Sequence, residues 1–378
     1  MKLKTSNIVT SVVFCVLVLT LTVASMVNPV REFSATENRN LAQMPEFSFK
    51  ALFAENDDDK FTLKYEEFIT DQFVARDAWI TFKTFIERAL GKKDSGGVYF
   101  GKDGYLIEKH ELDSEQLEKN VAYLKEFLEA TRDYNTHVLI APTASLILAD
   151  KLPAYAPVWD QAALLDRLAE LENFVDCRDV LTEHKDEQIY YHADHHWTTL
   201  GAYYAYTELC QSLDITPAAF DEFNKRVLAT DFQGTLANKV NMDTTLDEIF
   251  TLDPETVIEV VYNGGQKVTD TIYEESYLEG RDKYSAFLNG NQPMVDIKTS
   301  VNNGKTLLLV KDSYSHCMVP MLTAHYEHII LMDMRHLNMG VVSYLAQLEA
   351  KGVTVDDIVV LYNAENFTED RNMVKFAK

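Results

Sequence analysis

A carboxylate, an imidazole and a hydroxyl occur in this chain at points where a folded backbone could bring them together. The first two lie in Tyr190-Tyr191-His192-Ala193-Asp194-His195-His196-Trp197. The third is Ser313, in Leu307-Leu308-Leu309-Val310-Lys311-Asp312-Ser313-Tyr314. Together they are what nucleophilic acyl transfer needs: an oxygen that attacks, a base that takes its proton, and an anion that orients the base. Asp194 and His196 are separated by one residue, so in an extended loop their side chains point the same way and His195 points opposite. Pairing Asp194 with His195 instead would require a sharply bent backbone. Asp194 is also a suitable N-cap for the helix expected to follow, a use that competes with orienting an imidazole.

Ser313 follows Thr306 to Val310, a run with the composition of a strand buried on both faces. Sites in such sheets form at the carboxyl ends of strands. A serine at that tip, opening a helix toward Pro320, exposes its hydroxyl beside free backbone N–H groups that could hold an oxyanion. A plain Ser or Asp N-cap explains the same residues, and no Gly-x-Ser-x-Gly elbow is present. A metal-dependent hydrolase is the lesser alternative. His192, Asp194, His195 and His196 are ligand types that suit zinc. Their order matches neither the His-x-His-x-Asp-His of metallo-β-lactamase-like hydrolases nor a His-Glu-x-x-His helix. No metal and no cofactor is expected.

The rest of the chain has to position these groups. It has 378 residues, 47% of them hydrophobic, enough for a large core. Its 59 acidic and 35 basic residues give a formal charge of −24, which argues against nucleic acid and anionic membrane surfaces as partners. The acidity is dispersed apart from Asp57-Asp58-Asp59 and reads as solvation. Of four cysteines, Cys15 lies in an apolar N-terminal run. Cys177, Cys210 and Cys317 have no metal-like spacing and form no disulfide framework.

Lys2 and Lys4 precede a charge-free run from Ile8 to Val27. At about 1.5 Å per residue it spans a hydrocarbon core of roughly 30 Å. The two lysines predict a cytoplasmic N-terminus and an exported body. Residues 1–27 are therefore read as a transmembrane anchor or, since Thr22-Val23-Ala24 resembles a signal-peptidase site, a cleaved signal peptide. Either way the body is extracytoplasmic.

Residues 28–95 are expected to form a helical segment packed on the main domain, with Phe68, Phe73, Trp79, Phe82 and Ile86 at roughly helical spacing. Gly96 to Leu106 reads as a β-hairpin whose Asp103-Gly104 supplies the positive φ angles of a tight turn. From Asp113 strands and helices alternate. A capping-box-like Asp113-Ser114-Glu115-Gln116 opens a helix to about Asp133, and a strand runs from His137 to Pro142. A helix carrying Leu164, Leu165, Leu168 and Leu171 follows, then a strand from Phe174 to Val180 and a helix from Thr198 to Leu213. Further apolar runs lie at Val257–Val261, Thr306–Val310, Ile329–Met332 and Ile358–Leu361. The pattern predicts an α/β domain over 96–378, a mainly parallel sheet flanked by helices. Residues from about 215 to 300, rich in Asp, Asn, Gly and Thr, are expected as an inserted, lid-like segment.

At this point the motifs carry a resemblance. The chain resembles the bacterial DHHW protein family, whose motif stands here as Asp194-His195-His196-Trp197. The likeness includes Glu37-Asn38-Arg39-Asn40-Leu41, Gly101 to Leu106, Asp231-Phe232-Gln233-Gly234-Thr235-Leu236, Lys311 to Ser315 and Asp333-Met334-Arg335. That family in turn resembles the SGNH-hydrolase-like alginate O-acetyltransferases of the bacterial envelope, which pair Asp-x-His-Trp with a later serine. The chain departs from ordinary SGNH hydrolases, which place the serine first, and fits only this permuted branch.

The resemblance implies an SGNH-like fold and a serine-dependent O-acetyltransferase or esterase acting on a cell-envelope polysaccharide through a seryl ester. Ser313 would attack, His196 serve as base then acid, and Asp194 orient it. Asn363 and Arg335 are candidates for oxyanion or substrate contacts, though a salt bridge explains Arg335 equally well. Trp197 and Tyr314 could stack on sugar rings, with core packing as their default. A membrane-bound acyltransferase is a candidate acyl donor. The competing class is a noncatalytic glycan-binding or scaffold protein of an envelope acylation system.

Overall fold

The computed structural model describes residues 5–34, 39–54, 56 and 59–378. Lys2, Lys4, Glu37, Asn38, Asp57 and Asp58 lie outside the described residues. The chain divides into two compact units, one running to Lys92 and including Val240–Met242, the other comprising Lys93–Lys239 and Asp243–Lys378.

In the first unit the apolar N-terminal run forms a helix, Thr5–Val27. Its stretch Ser6–Val27 has a mean hydropathy of 2.5 and is long and apolar enough to cross a membrane. Two amphipathic helices, Phe61–Asp71 and Arg76–Ala89, follow. Ala75 joins them in a left-handed conformation.

The second unit is built on a seven-stranded sheet. Its order is Lys267–Thr269, Ile258–Tyr262, Met294–Thr299, His328–Met332, Thr306–Lys311, Asp357–Asn363 and Asn135–Ala141. The last four strands are parallel. The first three join them by antiparallel pairing. The sheet is thus mixed, where a mainly parallel one was expected. The cause lies in residues 215–300, which add three strands to the sheet edge. Met294–Thr299 alternates, with Val295 and Ile297 buried between more open neighbours, and this is the period-2 pattern of a strand within reach of a sheet edge. The segment also supplies a long antiparallel pair, Asn224–Phe232 with Asp247–Asp253.

The parallel half behaves as its sequence dictates. In Thr306–Lys311 all six residues are buried. Leu307 and Leu309 join the core on one face with Leu139, Leu361 and helix Thr199–Ser212. Leu308 and Val310 join the core on the other face with Val138, Val360 and helices Ser114–Ala130, Gln161–Leu168 and Val341–Ala350. A strand covered on both faces has no use for polar alternation, hence the continuous apolar run.

Several local expectations are met. Asp113 caps its helix by accepting from the N–H groups of Glu115 and Gln116. Asp103 and Gly104 both have positive φ, 55° and 85°, in the turn between Val98–Phe100 and Leu106–Glu108. One is corrected: Phe174 to Val180 is not a strand. Phe174 makes an isolated parallel bridge to Val138, and a helix begins at Arg178. There the Asp176 carboxylate takes the Arg178 N–H and guanidinium, turning the chain locally. Cys177, Cys210 and Cys317 are buried free thiols, and Cys15 is exposed.

Candidate active site

The His-rich motif is a tight loop at the edge of the core. Tyr190 pairs with Trp197 across its neck, and Thr198 N–H donates to Ile189 O. At its tip the chain bends through an Asx turn, in which Asp194 Oδ1 accepts from the N–H of His196 at 3.0 Å. The same oxygen accepts from His196 Nδ1 at 2.5 Å. The alignment of the two side chains therefore comes from a turn rather than from extended backbone. The competition over capping is also resolved. Helix Thr199–Ser212 is capped by Thr198, which accepts from Gly201 N–H, so Asp194 is left to the imidazole.

Ser313 stands where strand Thr306–Lys311 ends and a single 3-10 turn, Ser313–Cys317, begins. Its Oγ lies 2.8 Å from His196 Nε2. Because an ionised carboxylate can only accept, His196 carries its proton on Nδ1, and the serine hydroxyl donates to Nε2. Asp194, His196 and Ser313 are 3%, 5% and 8% exposed, so the array is screened from bulk water. Burial opposes the charge on Asp194. The His196 and His195 imidazoles and the hydrogen bonds from His196 and Thr235 nevertheless hold its carboxyl far below the usual range.

Asp312 fixes the turn beneath Ser313. Its Oδ1 accepts from Tyr314 N–H at 2.8 Å, and its Oδ2 from Asn363 N–H, Asn363 Nδ2 and Asn366 Nδ2. Tyr314 N–H is therefore spent. Ser313 N–H, the first amide of the turn, has no acceptor among the described residues. Asn363 sits at the end of the adjacent parallel strand, capping helix Ala364–Glu369 with its Oδ1 and donating one Nδ2 hydrogen to Asp312.

For Arg335, Trp197 and Tyr314 the structure gives the structural alternative. Arg335 forks onto Asp333, Nε to Oδ1 at 2.9 Å and Nη2 to Oδ2 at 2.7 Å, so it is a structural salt bridge. That carboxylate also faces the buried Lys311 ammonium at 3.5 Å. Burial, more than its charged neighbours can offset, pushes Lys311 down to about 8. Trp197 and Tyr314 are fully buried and cannot stack on a ligand. Trp197 Nε1 donates to Tyr314 O at 2.8 Å, and the Tyr314 hydroxyl donates to His195 O. These two bonds tie the His loop to the serine turn.

Other residues of the site were not foreseen. The Tyr284 ring stacks on His196 with centroids 3.9 Å apart, and its hydroxyl donates to Ser313 O at 3.0 Å. Thr235 steadies the far side of Asp194, donating N–H and hydroxyl to Oδ2 at 2.7 and 3.0 Å. Nothing in the sequence around Tyr284 marks it. Gly234 and Thr235 stood in a quoted motif without an assigned role. His192 is turned away, its ring and N–H held by Asp247.

Ligand-type atoms of Asp194, His195 and His196 all lie within 4.8 Å of one another. As they stand, both nitrogens of His196 and the Nδ1 of His195 are committed, to Asp194, Ser313 and Thr235. A cation would have to displace one of these partners.

A compact α/β unit with Ser, His and Asp hydrogen-bonded in series at the carboxyl edge of its parallel strands is the class of fold and site described here. Residues 160–332 match the model of the DHHW protein family, so the resemblance carried by the motifs holds. Among solved structures, a DHHW family protein from Eubacterium siraeum DSM 15702 is similar at 23% identity and a TM-score of 0.62, over 75% of this chain and 96% of that one. Bacillus cereus PatB1, solved with a sulfonyl adduct, is similar at 16% identity and a TM-score of 0.60, over 74% and 98% of the two chains. A search of curated proteins gives no match.

Proposed function

We propose that the protein is an extracytoplasmic serine-dependent acyltransferase or esterase that moves an acyl group, most simply acetyl, to or from a hydroxyl of a cell-envelope polysaccharide. The observation that carries this reading is the bonded series Asp194–His196–Ser313. His196 Nε2 takes the Ser313 proton as Oγ attacks the donor's acyl carbon. The donor's leaving atom departs with that proton, and a seryl ester remains. A sugar hydroxyl, or water, then gives its proton to His196 and attacks the ester. Ser313 Oγ leaves and recovers the proton. The Ser313 N–H is available for the oxyanion, and the second Nδ2 hydrogen of Asn363 is the next candidate donor. Asp194 keeps His196 in the required tautomer and offsets the imidazolium charge.

The apolar helix Thr5–Val27 supports a membrane anchor or a signal, with the body outside the cytoplasm and a membrane-bound acyltransferase as a candidate donor. The test is turnover of a chromogenic acetyl ester by the full chain in detergent, with and without oligosaccharide acceptors. Ser313→Ala and His196→Ala should each abolish it. Activity that survives both substitutions rejects the proposal.

A further inference from the structure

Beside the triad lies a pocket of about 670 Å³, part of whose wall is His195. The His195 ring lies against His196, with centroids 3.9 Å apart. Its Nδ1 is 2.7 Å from Thr235 Oγ1. The Thr235 hydroxyl has one hydrogen, and that hydrogen goes to Asp194 Oδ2, which as an anion can only accept. The proton on the His195–Thr235 bond must therefore belong to His195 Nδ1. With that proton on Nδ1, Nε2 of the neutral ring is a bare acceptor. Burial and the neighbouring His196 imidazole shift His195 below the usual histidine range and so disfavour a second proton. One carboxylate thus fixes the tautomer of two imidazoles, His196 directly and His195 through Thr235. The first presents its lone pair to Ser313. No residue takes up the second among the described residues.

The walls limit what that lone pair can meet. Lys109 and Lys239 are spent on Asp94 and Glu108 in ion pairs. Glu111 and Glu365 add further carboxyls to the lining. Burial and the Glu108 carboxylate push Glu365 up to about 8, which marks how poorly the pocket tolerates more negative charge. A uronate would be repelled, whereas a neutral hydroxyl or an ammonium group is welcome.

We propose that this pocket is the acceptor site of the acyl transfer, and that His195 Nε2 accepts a hydrogen bond from one hydroxyl of an uncharged or amine-bearing sugar, holding another toward Ser313. The inference rests on the acyl-transfer reading for its role in the reaction, while the binding site itself stands on the pocket. His195 is a substrate-binding group; the acceptor's reacting proton still passes to His196.

The experiment measures binding on the full chain in detergent carrying Ser313→Ala, which turns nothing over, by calorimetry. The probes are a neutral gluco-oligosaccharide, an oligoglucosamine and an oligouronate. His195→Phe keeps a ring against His196 but loses the acceptor, and His195→Gln restores an acceptor near the Nε2 position. The first two probes should bind, His195→Phe should weaken them roughly tenfold, the worth of about one hydrogen bond, and His195→Gln should recover most of that. Equal affinity for His195→Phe, tighter binding of the oligouronate, or no binding by any probe overturns the proposal. Labelling of Ser313 by a sulfonyl fluoride in protein without the alanine substitution is read separately. Its failure would strike the acyl-transfer reading and leave the binding result standing on its own.

Discussion

Gly234 lies against the side chain of Asp194: a methyl group at Gly234 would fall 2.2 Å from both Cβ and Oδ2 of Asp194. The glycine is needed for this close approach, and its neighbour Thr235 uses the proximity to donate twice to the same carboxylate. Gly234→Ala must push Asp194 off His196. The expected result is a fall in ester turnover of roughly 10²–10⁴-fold, within the range seen when a triad carboxylate is lost. Comparing turnover with circular dichroism distinguishes a displaced carboxylate from an unfolded chain. Turnover within threefold of the parent would show that Asp194 is not the orienting group.

Asp194→Asn keeps the shape and removes the anion. The amide can donate to His196 Nδ1, which stabilises the tautomer with the proton on Nε2, where it cannot receive the serine's. Turnover should fall by about 10⁴-fold, as expected for a tautomer error. Stability should change much less than activity, read from a denaturant midpoint.

Tyr284 makes two separable contributions. Tyr284→Phe keeps the ring on His196 and loses the bond to Ser313 O, a loss of about 0.5–1.5 kcal/mol. Tyr284→Ala also removes a buried ring and should cost about 3–5 kcal/mol of stability. If the ring positions His196, the alanine variant loses far more turnover than the phenylalanine variant at a temperature where both are folded. Equal losses would assign the effect to the hydroxyl.

Glu365 gives a pH signature. Its folded value of about 8 lies above the ordinary 4.5, so between those values the folded chain holds a proton that the unfolded chain has released. Its contribution to stability is fully present below about 4.5 and is lost as pH rises through about 8. Glu365→Gln, neutral at every pH, should therefore stabilise relative to the parent as pH is raised from 5 to 8. Thermal melts across that range check it; a difference that stays constant with pH would contradict it.

Parts of this architecture are legible in the sequence because burial on two faces leaves a plain trace. Thr306–Lys311 and Asp357–Asn363 are apolar runs ended by Asp312 and Asn363, and both runs end at the site. The apolar run Val257–Val261 is visible in the sequence and becomes strand Ile258–Tyr262, whereas Lys267–Thr269 is short, half-polar and follows Asn263, Gly264 and Gly265. Nothing local says that they add to an existing edge. The pairing of Asp194 with His196 was readable from their spacing, although the cause is an Asx turn. Trp197 and Tyr314 stay open in the sequence because an aromatic near a catalytic motif looks the same whether it faces a sugar or the core. Here each finds a buried backbone carbonyl for its polar atom, and that decides the matter. Tyr284 left no signal, since its partners are a ring and a carbonyl far away in sequence.

The central claim is that Ser313 is a nucleophile activated by His196. The most direct measurement is mass-spectrometric location of a sulfonyl fluoride adduct on the full chain, with the labelling rate compared between parent and His196→Ala. A single adduct on Ser313, formed at least 10²-fold more slowly in His196→Ala, is the predicted result, as general-base assistance of that order would require. An unmodified Ser313, or labelling at a rate indifferent to His196, would contradict it.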